Sequence, residues 1–349
     1  MNRKKHKTEK ALIAYFDILG YQEIVKTNYV PESILIERIE LITKQVHESR
    51  KFSNRVSKWK VYSFSDNFAI VINSIEAGLV LDLKELVSVL ILIQYEFLAV
   101  YGFFIRGSIT SGNVYVGNKF IYGEGLIKAY EIENSIAIYP RIVVDLDLIN
   151  DCFQHIHRII SKSVSLNGKM YDPKDVKISN LFQFYTKLVI GFLYNEGRVD
   201  SKQIDELLKK YEDDDLITLH KDFDDQYYID CFQSLLFYYR HLDLYDGGES
   251  MQSSRYFNFI NDEEEDSILD QYVQLFLYNL TGYIITFGKN DKLLKKYLWV
   301  CHKANNTLNK IGYCNLISKS FIFEVCDLDL NCVRSDDDIL NMFIRDLPE

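Results

Sequence analysis

Residues 11–21 read ALIAYFDILGY, and the fold turns on how this stretch is read. An apolar run of aromatic and branched residues ends at one carboxylate, Asp17, with Gly20 three positions on. That pattern predicts a buried strand that delivers an acid to its C-terminal end before the chain turns into a helix. A charge at the end of a buried strand needs a partner, a cap or a cation. Asp17 could equally be the N-cap of the following helix.

Outward from this strand, Gly20 to Lys26 reads as a short helix. Pro31 and Glu32 then open an amphipathic one with Ile34, Leu35, Ile39, Leu41 and Ile42 on its apolar side. In residues 59–72, WKVYSFSDNFAIVI, two apolar runs flank Ser65-Asp66-Asn67, which predicts a hairpin with Asp66 at its tip. An acid there can simply be solvated. A buried helix follows over about residues 79–101; its stretch SVLILIQYEFLAVYGFF is short for a membrane span and carries Gln94 and Glu96 in its middle. Residues 103–125 read as short β-prone pieces separated by Gly107, Gly112 and Gly117. Residues 124–133 have helical spacing, and PRIVVD at 140–145 is a second buried-strand pattern. This order predicts an α+β fold over residues 1–150, a sheet with helices packed on one face.

Residues 151–349 read as a mainly helical C-terminal region that packs on the first part or supports dimerisation. Acidic loops fall at Glu212–Asp215 and Asp262–Asp266, a turn at Asp246-Gly247-Gly248, and long helices at about 268–287 and 291–311.

Composition excludes several classes. At 48% hydrophobic and 26% charged, the chain is globular rather than disordered. A net charge of −10 implies no broad basic surface, so nucleic-acid binding is not expected. The basic start, Arg3, Lys4, Lys5, Lys7 and Lys10, lacks the apolar run of a signal peptide. The six cysteines are scattered without a CxxC pair and read as reduced thiols, which suggests a cytoplasmic protein with no membrane partner. There is no GxxxxGK loop, GxSxG elbow or HExxH pair.

If the first strand pairs with the hairpin, Asp17 and Asp66 meet on one sheet edge. Two adjacent carboxylates repel unless one is protonated or a cation lies between them. Oxygen ligands of this kind favour Mg²⁺ or Mn²⁺, ions that also bind substrate phosphates.

Several segments resemble class III nucleotide cyclases. FDILGY, residues 16–21, is similar to their F-x-D-[IL]-x-G-[FY] opening, with one residue fewer before the acid. SFSDNF resembles their second metal-acid hairpin, IRGSITSGNVY their R-x-G-I-x-x-G strand, and YGEGLIKAYEIE their G-[DN]-x-V-N-x-A-x-R-[LM]-[DE] helix. Together with IAIYPRIVVD, these pieces resemble the pyrimidine cyclases of the Pycsar antiphage system over roughly residues 10–150. DQYYID (Asp225–Asp230) and KKYLW (Lys295–Trp299) resemble their tails more loosely.

The resemblance implies that UTP or CTP is cyclised to its 3′,5′-cyclic nucleotide with loss of pyrophosphate, the product reaching a separate antiphage effector. It also implies a homodimer with sites at the interface and two Mn²⁺ or Mg²⁺ ions per site, held by Asp17, Asp66 and the Ile18 carbonyl. Nucleotide contacts would come from Phe16, from the amides of Leu19, Gly20 and Tyr21, and from Arg106, whose alternatives are a partner contact or a structural ion pair. The family's ribose-orienting Asn and transition-state Arg fall on Ile127 and Glu131, which can do neither job. Lys128 or Arg141 could substitute, although Lys128 could also pair with Glu131 or Glu124. The family's two purine readers fall on Tyr62 and Phe120, and aromatics there imply a shallower, pyrimidine-sized pocket unless both are core residues. An ordinary purine cyclase and a degenerate nucleotide-binding module are the competing readings.

Overall fold

The computed structural model describes residues 7–49, 59–73, 78–160, 165–166, 169–170, 175–198, 200, 202–203, 219–230, 232, 265–288, 290–310, 317–326 and 343. The chain divides into two compact units. One takes Met1–Ile18, Leu35–Ile93 and Ile105–Asp230; the other takes Leu19–Ile34, Gln94–Phe104 and Cys231–Glu349.

The first unit is built on strand β1 (Glu9–Ile18), the stretch that opened the sequence reading. It runs antiparallel to both the hairpin strand β3 (Asn67–Ile72) and β4 (Ile105–Val116). β2 (Trp59–Phe64) completes the hairpin. On the other side β6 (Ile142–Val144) lies parallel to β4. The sheet then continues into a hairpin of β9 (Leu219–Lys221) and β10 (Tyr227–Ile229), giving the order β2-β3-β1-β4-β6-β10-β9, with β5 (Ile121–Tyr122) on the end of β4. A separate pair joins β7 (Ser165–Leu166) and β8 (Lys169–Met170). The architecture is the expected α+β fold, and its sheet runs past residue 150.

Successive strand residues face opposite sides of a sheet. Ala11 and Ile13 of β1 form a core with Val71, Val114 and Ala129, the last from helix α4 (Glu124–Ser135). The alternate residues Leu12, Ala14, Phe16 and Ile18 are equally buried. β4 departs from expectation: the glycines do not break it, and it runs for 12 residues through Gly107 and Gly112. Both are places of close approach. A Cβ on Gly112 would lie 2.6 Å from the Gly125 Cα of α4, and one on Gly107 would lie 2.5 Å from the Phe16 Cβ. Glycine is what lets α4 touch the sheet at Gly112 and makes room for Phe16 of β1 at Gly107.

In chain order, the helices of the rest of the protein are α1 (Tyr21–Thr27), α2 (Glu32–Ser49), α3 (Leu79–Ala99), α5 (Leu146–Ile160), α6 (Leu181–Asn195), α7 (Glu265–Phe287), α8 (Asp291–Lys310) and α9 (Lys319–Cys326). The second unit is held by aromatics. The Tyr283 ring lies 5.3 Å from Tyr29, 5.4 Å from Phe104 and 5.4 Å from Tyr297, the spacing at which ring pairs attract. The acidic loop at Glu212–Asp215 and the turn at Asp246–Gly248 lie outside the described residues. Among the described residues, no helix is long and apolar enough to cross a membrane.

Candidate active site

Antiparallel pairing sets Asp17 opposite Asn67 on β3 and opposite Arg106 on β4. Asp66 lies in the two-residue turn between the paired Phe64 and Asn67, next to Ser65 in the left-handed region at φ 57°. The Ile18 amide donates to the Asp66 backbone carbonyl at 3.3 Å, tying the end of β1 to the turn. Both acids therefore stand at one end of the sheet. A side-chain relay supports the second of them. The Tyr15 hydroxyl donates to Asn67 Oδ1 (2.6 Å), and Asn67 Nδ2 donates to Asp66 Oδ1 (3.2 Å). Burial pushes the Tyr15 hydroxyl up to about 12, helped by the negative charges of Glu133, Asp17 and Asp66 and by Tyr130.

Arg106 holds the first acid. Its Nε and one terminal nitrogen donate to the two Asp17 oxygens at 3.0 and 3.2 Å. The same terminal nitrogen lies 2.7 Å from Glu133 Oε1. No N–H points along that second line, so it is an ion pair without hydrogen-bond alignment. Burial disfavours charge on Arg106, but the Asp17 hydrogen bonds and the charges of Asp17 and Glu133 outweigh it, and the guanidinium pKa is raised. The ion pair expected as one alternative for Arg106 is present, to Asp17 and Glu133. Glu133 was not among the expected site residues. Its signal was present: it lies four positions after Ala129, on the buried side of α4 with Ile132.

The donor set suits a small divalent cation, which takes one or two carboxylates and fills its other positions with water and substrate phosphate oxygens. Asp17 and Asp66 would supply the carboxylates of such a site, and the Ile18 carbonyl belongs to the same strand end. Among the described residues, no cluster of three or more His, Cys, Asp or Glu side chains could hold an ion by itself.

Other expected contacts need correction. Phe16 is fully buried and stacks on Phe68 at 5.3 Å, so its ring offers no face to a nucleotide. In the second unit, the Leu19 amide donates to the Phe104 carbonyl at 2.8 Å and is not available to a phosphate. Gly20 adopts φ 74° as the N-cap of the short α1, with its carbonyl accepting from Glu23 and Ile24, and Tyr21 begins the helix. Arg141 is completely buried and pairs with Asp222 and Asp224, between the rings of Tyr139 and Tyr228. It cannot reach a ribose or a phosphate. Lys128 pairs with neither Glu131 nor Glu124 but with Asp145 (2.6 Å) and Asp147 (2.7 Å).

Tyr62 and Phe120 do come together, around Gly117. The Tyr62 hydroxyl donates to the Gly117 carbonyl (2.6 Å), and the Gly117 amide donates to the Phe120 carbonyl (2.9 Å). The Phe120 ring meets Tyr115 and is largely exposed. Ile127 and Glu131 lie on the exposed face of α4.

No protein-family model matches the chain, and no curated protein matches it in sequence. Among solved structures, it is similar to the monomeric guanylyl cyclase domain of the RhoGC fusion protein from the aquatic fungus Blastocladiella emersonii. Identity is 14% and the TM-score 0.31, over 46% of this chain and 91% of that one. The guanylyl cyclase Cya2 is similar at 15% identity and a TM-score of 0.30, over 49% of this chain and 89% of that one.

Proposed function

We propose that the protein is a divalent-metal-dependent nucleotide cyclase acting on a pyrimidine nucleoside triphosphate, UTP before CTP. The observation that carries the reading is the pairing of β1 with both neighbours, which gathers Asp17 and Asp66 at one sheet end with Arg106 and Glu133 beside them. An acid excess of this kind suits cations and a polyphosphate together. In the reaction, the ribose 3′-oxygen bonds to the α-phosphorus and the bond to the bridging oxygen of the β-phosphate breaks. Pyrophosphate leaves with the electron pair, and the hydroxyl proton passes to water. Bound Mn²⁺ or Mg²⁺ would lower the pKa of that hydroxyl and neutralise charge on the phosphates. The chain's own part is to hold and orient the acids: Asn67, aligned by Tyr15, orients Asp66, and Arg106 orients Asp17.

The base reading rests on Tyr62 and Phe120. With its hydroxyl engaged by Gly117, Tyr62 offers a ring rather than a polar edge, and losing hydrogen-bonded readout removes the main discrimination in favour of a purine. The catalytic part would be the residues up to 150 together with the β9–β10 hairpin, acting as a homodimer with sites at the interface. Its product would signal to a separate effector in antiphage defence. Exposed Ile127 and Glu131, in place of a ribose-orienting Asn and a charge-stabilising Arg, favour a second reading: a degenerate module that binds nucleotide without turnover.

The test is Mn²⁺-dependent turnover of each of the four NTPs, run beside Asp17→Ala and Asp66→Ala. Cyclic UMP or CMP that disappears in both variants is the expected result. Cyclic AMP or GMP overturns the base reading, and nucleotide binding without product establishes the degenerate module.

A further inference from the structure

One guanidinium serves two carboxylates at the end of β1. Arg106 makes its aligned hydrogen bonds to Asp17 and an unaligned ion pair to Glu133. The Glu133 side chain is only 3% exposed, against 15% for Asp17, so α4 brings the more buried acid to the same terminal nitrogen of the arginine.

We infer that Glu133 is a positioning residue for Asp17: by sharing the Arg106 guanidinium, it loosens that cation's hold on Asp17 and keeps the arginine in place when a divalent ion takes the carboxylate. The inference rests on the metal-binding role proposed for Asp17. A guanidinium held by two N–H···O bonds competes with any ion for the same carboxylate oxygens. Displacing Arg106 entirely would break its pair with the buried Glu133 and leave its own part-buried cation without either carboxylate, and breaking a buried pair in this way is costly. Turning the guanidinium toward Glu133 avoids that cost, because an ion pair already 2.7 Å long needs only alignment to become a hydrogen bond. Glu133 touches neither substrate nor ion in this scheme; it acts through Arg106.

The experiment titrates the full-length protein with Mn²⁺ alone, without nucleotide, and counts the free aquo ion by electron paramagnetic resonance. Wild type is compared with Glu133→Gln, Glu133→Asp, Arg106→Gln and the Glu133→Gln/Arg106→Gln double variant, with Asp17→Asn as the control for site. Thermal melting of every variant checks the fold. Glu133→Gln should weaken Mn²⁺ binding about tenfold, the effect of shifting one hydrogen bond to a charged group. Glu133→Asp should fall between it and wild type. Arg106→Gln should tighten binding by removing the competitor, and in that background Glu133→Gln should weaken it by no more than about threefold, the residual field of a single charge.

Equal weakening in both backgrounds would show that Glu133 acts on the ion directly and overturn the inference. So would unchanged binding in Glu133→Gln, or wild-type binding that survives Asp17→Asn. Turnover measured on the same samples separates the two layers. Coupled Mn²⁺ binding without cyclic nucleotide refutes the cyclase reading alone, and cyclic nucleotide without coupling refutes this inference alone.

Discussion

Replacing Arg141 with methionine tests whether this residue serves chemistry or architecture. The guanidinium is completely buried and its Nη1 donates to Asp222. Nη1 also donates to Asp224 at 3.0 Å, Nη2 bonds the other Asp224 oxygen, and the rings of Tyr139 and Tyr228 lie 5.4 and 5.7 Å from its carbon. Methionine matches the stem but removes the cation. Asp224, with 29% of its side chain exposed, can recover some hydration; Asp222, with 1%, cannot. Removing the cation from a buried pair costs about 3–5 kcal/mol, and the Phe223 amide, which donates to Asp222 Oδ1 at 2.9 Å, offsets part of it. Equilibrium urea unfolding should show that loss as a lower midpoint with little change in slope.

The double variant Arg141→Met/Asp222→Asn removes the buried Asp222 charge as well, so it should regain about 2 kcal/mol over Arg141→Met alone, a non-additivity diagnostic of one buried network. A role at the nucleotide predicts the reverse pattern, with stability kept and turnover lost. A cost below about 1 kcal/mol for Arg141→Met, or additive effects in the pair, would refute the clamp.

Two further substitutions probe the frame around the acids. Gly112→Ala puts a Cβ where the Gly125 Cα lies 2.6 Å away, backbone against backbone, so it should destabilise by about 1–3 kcal/mol in urea unfolding; a neutral result would mean α4 can lift from β4 freely. Tyr15 has a folded-state pKa above its ordinary 10.0, so its contribution to stability is complete below about pH 10 and is lost as pH rises through about 12. Difference absorbance of tyrosinate between wild type and Tyr15→Phe should show a group ionising only in that upper range, and ionisation near the ordinary value would refute the buried relay to Asn67.

Where a residue's partners are close in sequence or follow from strand alternation, the sequence reading reached them. The Asp17 strand and the Asp66 hairpin were legible because an apolar run and a Ser-Asp-Asn turn carry their own geometry. The β4 glycines were misread because a strand glycine marks either a break or a close approach, and the partners that decide, Phe16 and Gly125, are set by pairing and helix docking. Arg141 was illegible for the same reason at longer range: Asp222 lies 81 positions away, on a hairpin of three-residue strands too short to show a pattern. Lys128 was assigned helical neighbours by spacing, but its carboxylates come from the start of the next helix.

Among the described residues of the first unit, three basic side chains each bridge two acids: Lys128 with Asp145 and Asp147, Arg141 with Asp222 and Asp224, and Arg106 with Asp17 and Glu133. The first stands partly in solvent, where its excess negative charge is screened at little cost. The second is sealed between tyrosine rings and ties the β9–β10 hairpin to the residue before β6. The third differs in having a further acid at the same strand end, Asp66, whose turn accepts a hydrogen bond from the residue after Asp17. Among the described residues, that end of the sheet thus gathers Asp17 and Glu133 on one guanidinium, with Asp66 in the adjoining turn. On the proposed reading, a divalent ion taking the Asp17 carboxylate would leave Arg106 its second carboxylate, Glu133, 2.7 Å away.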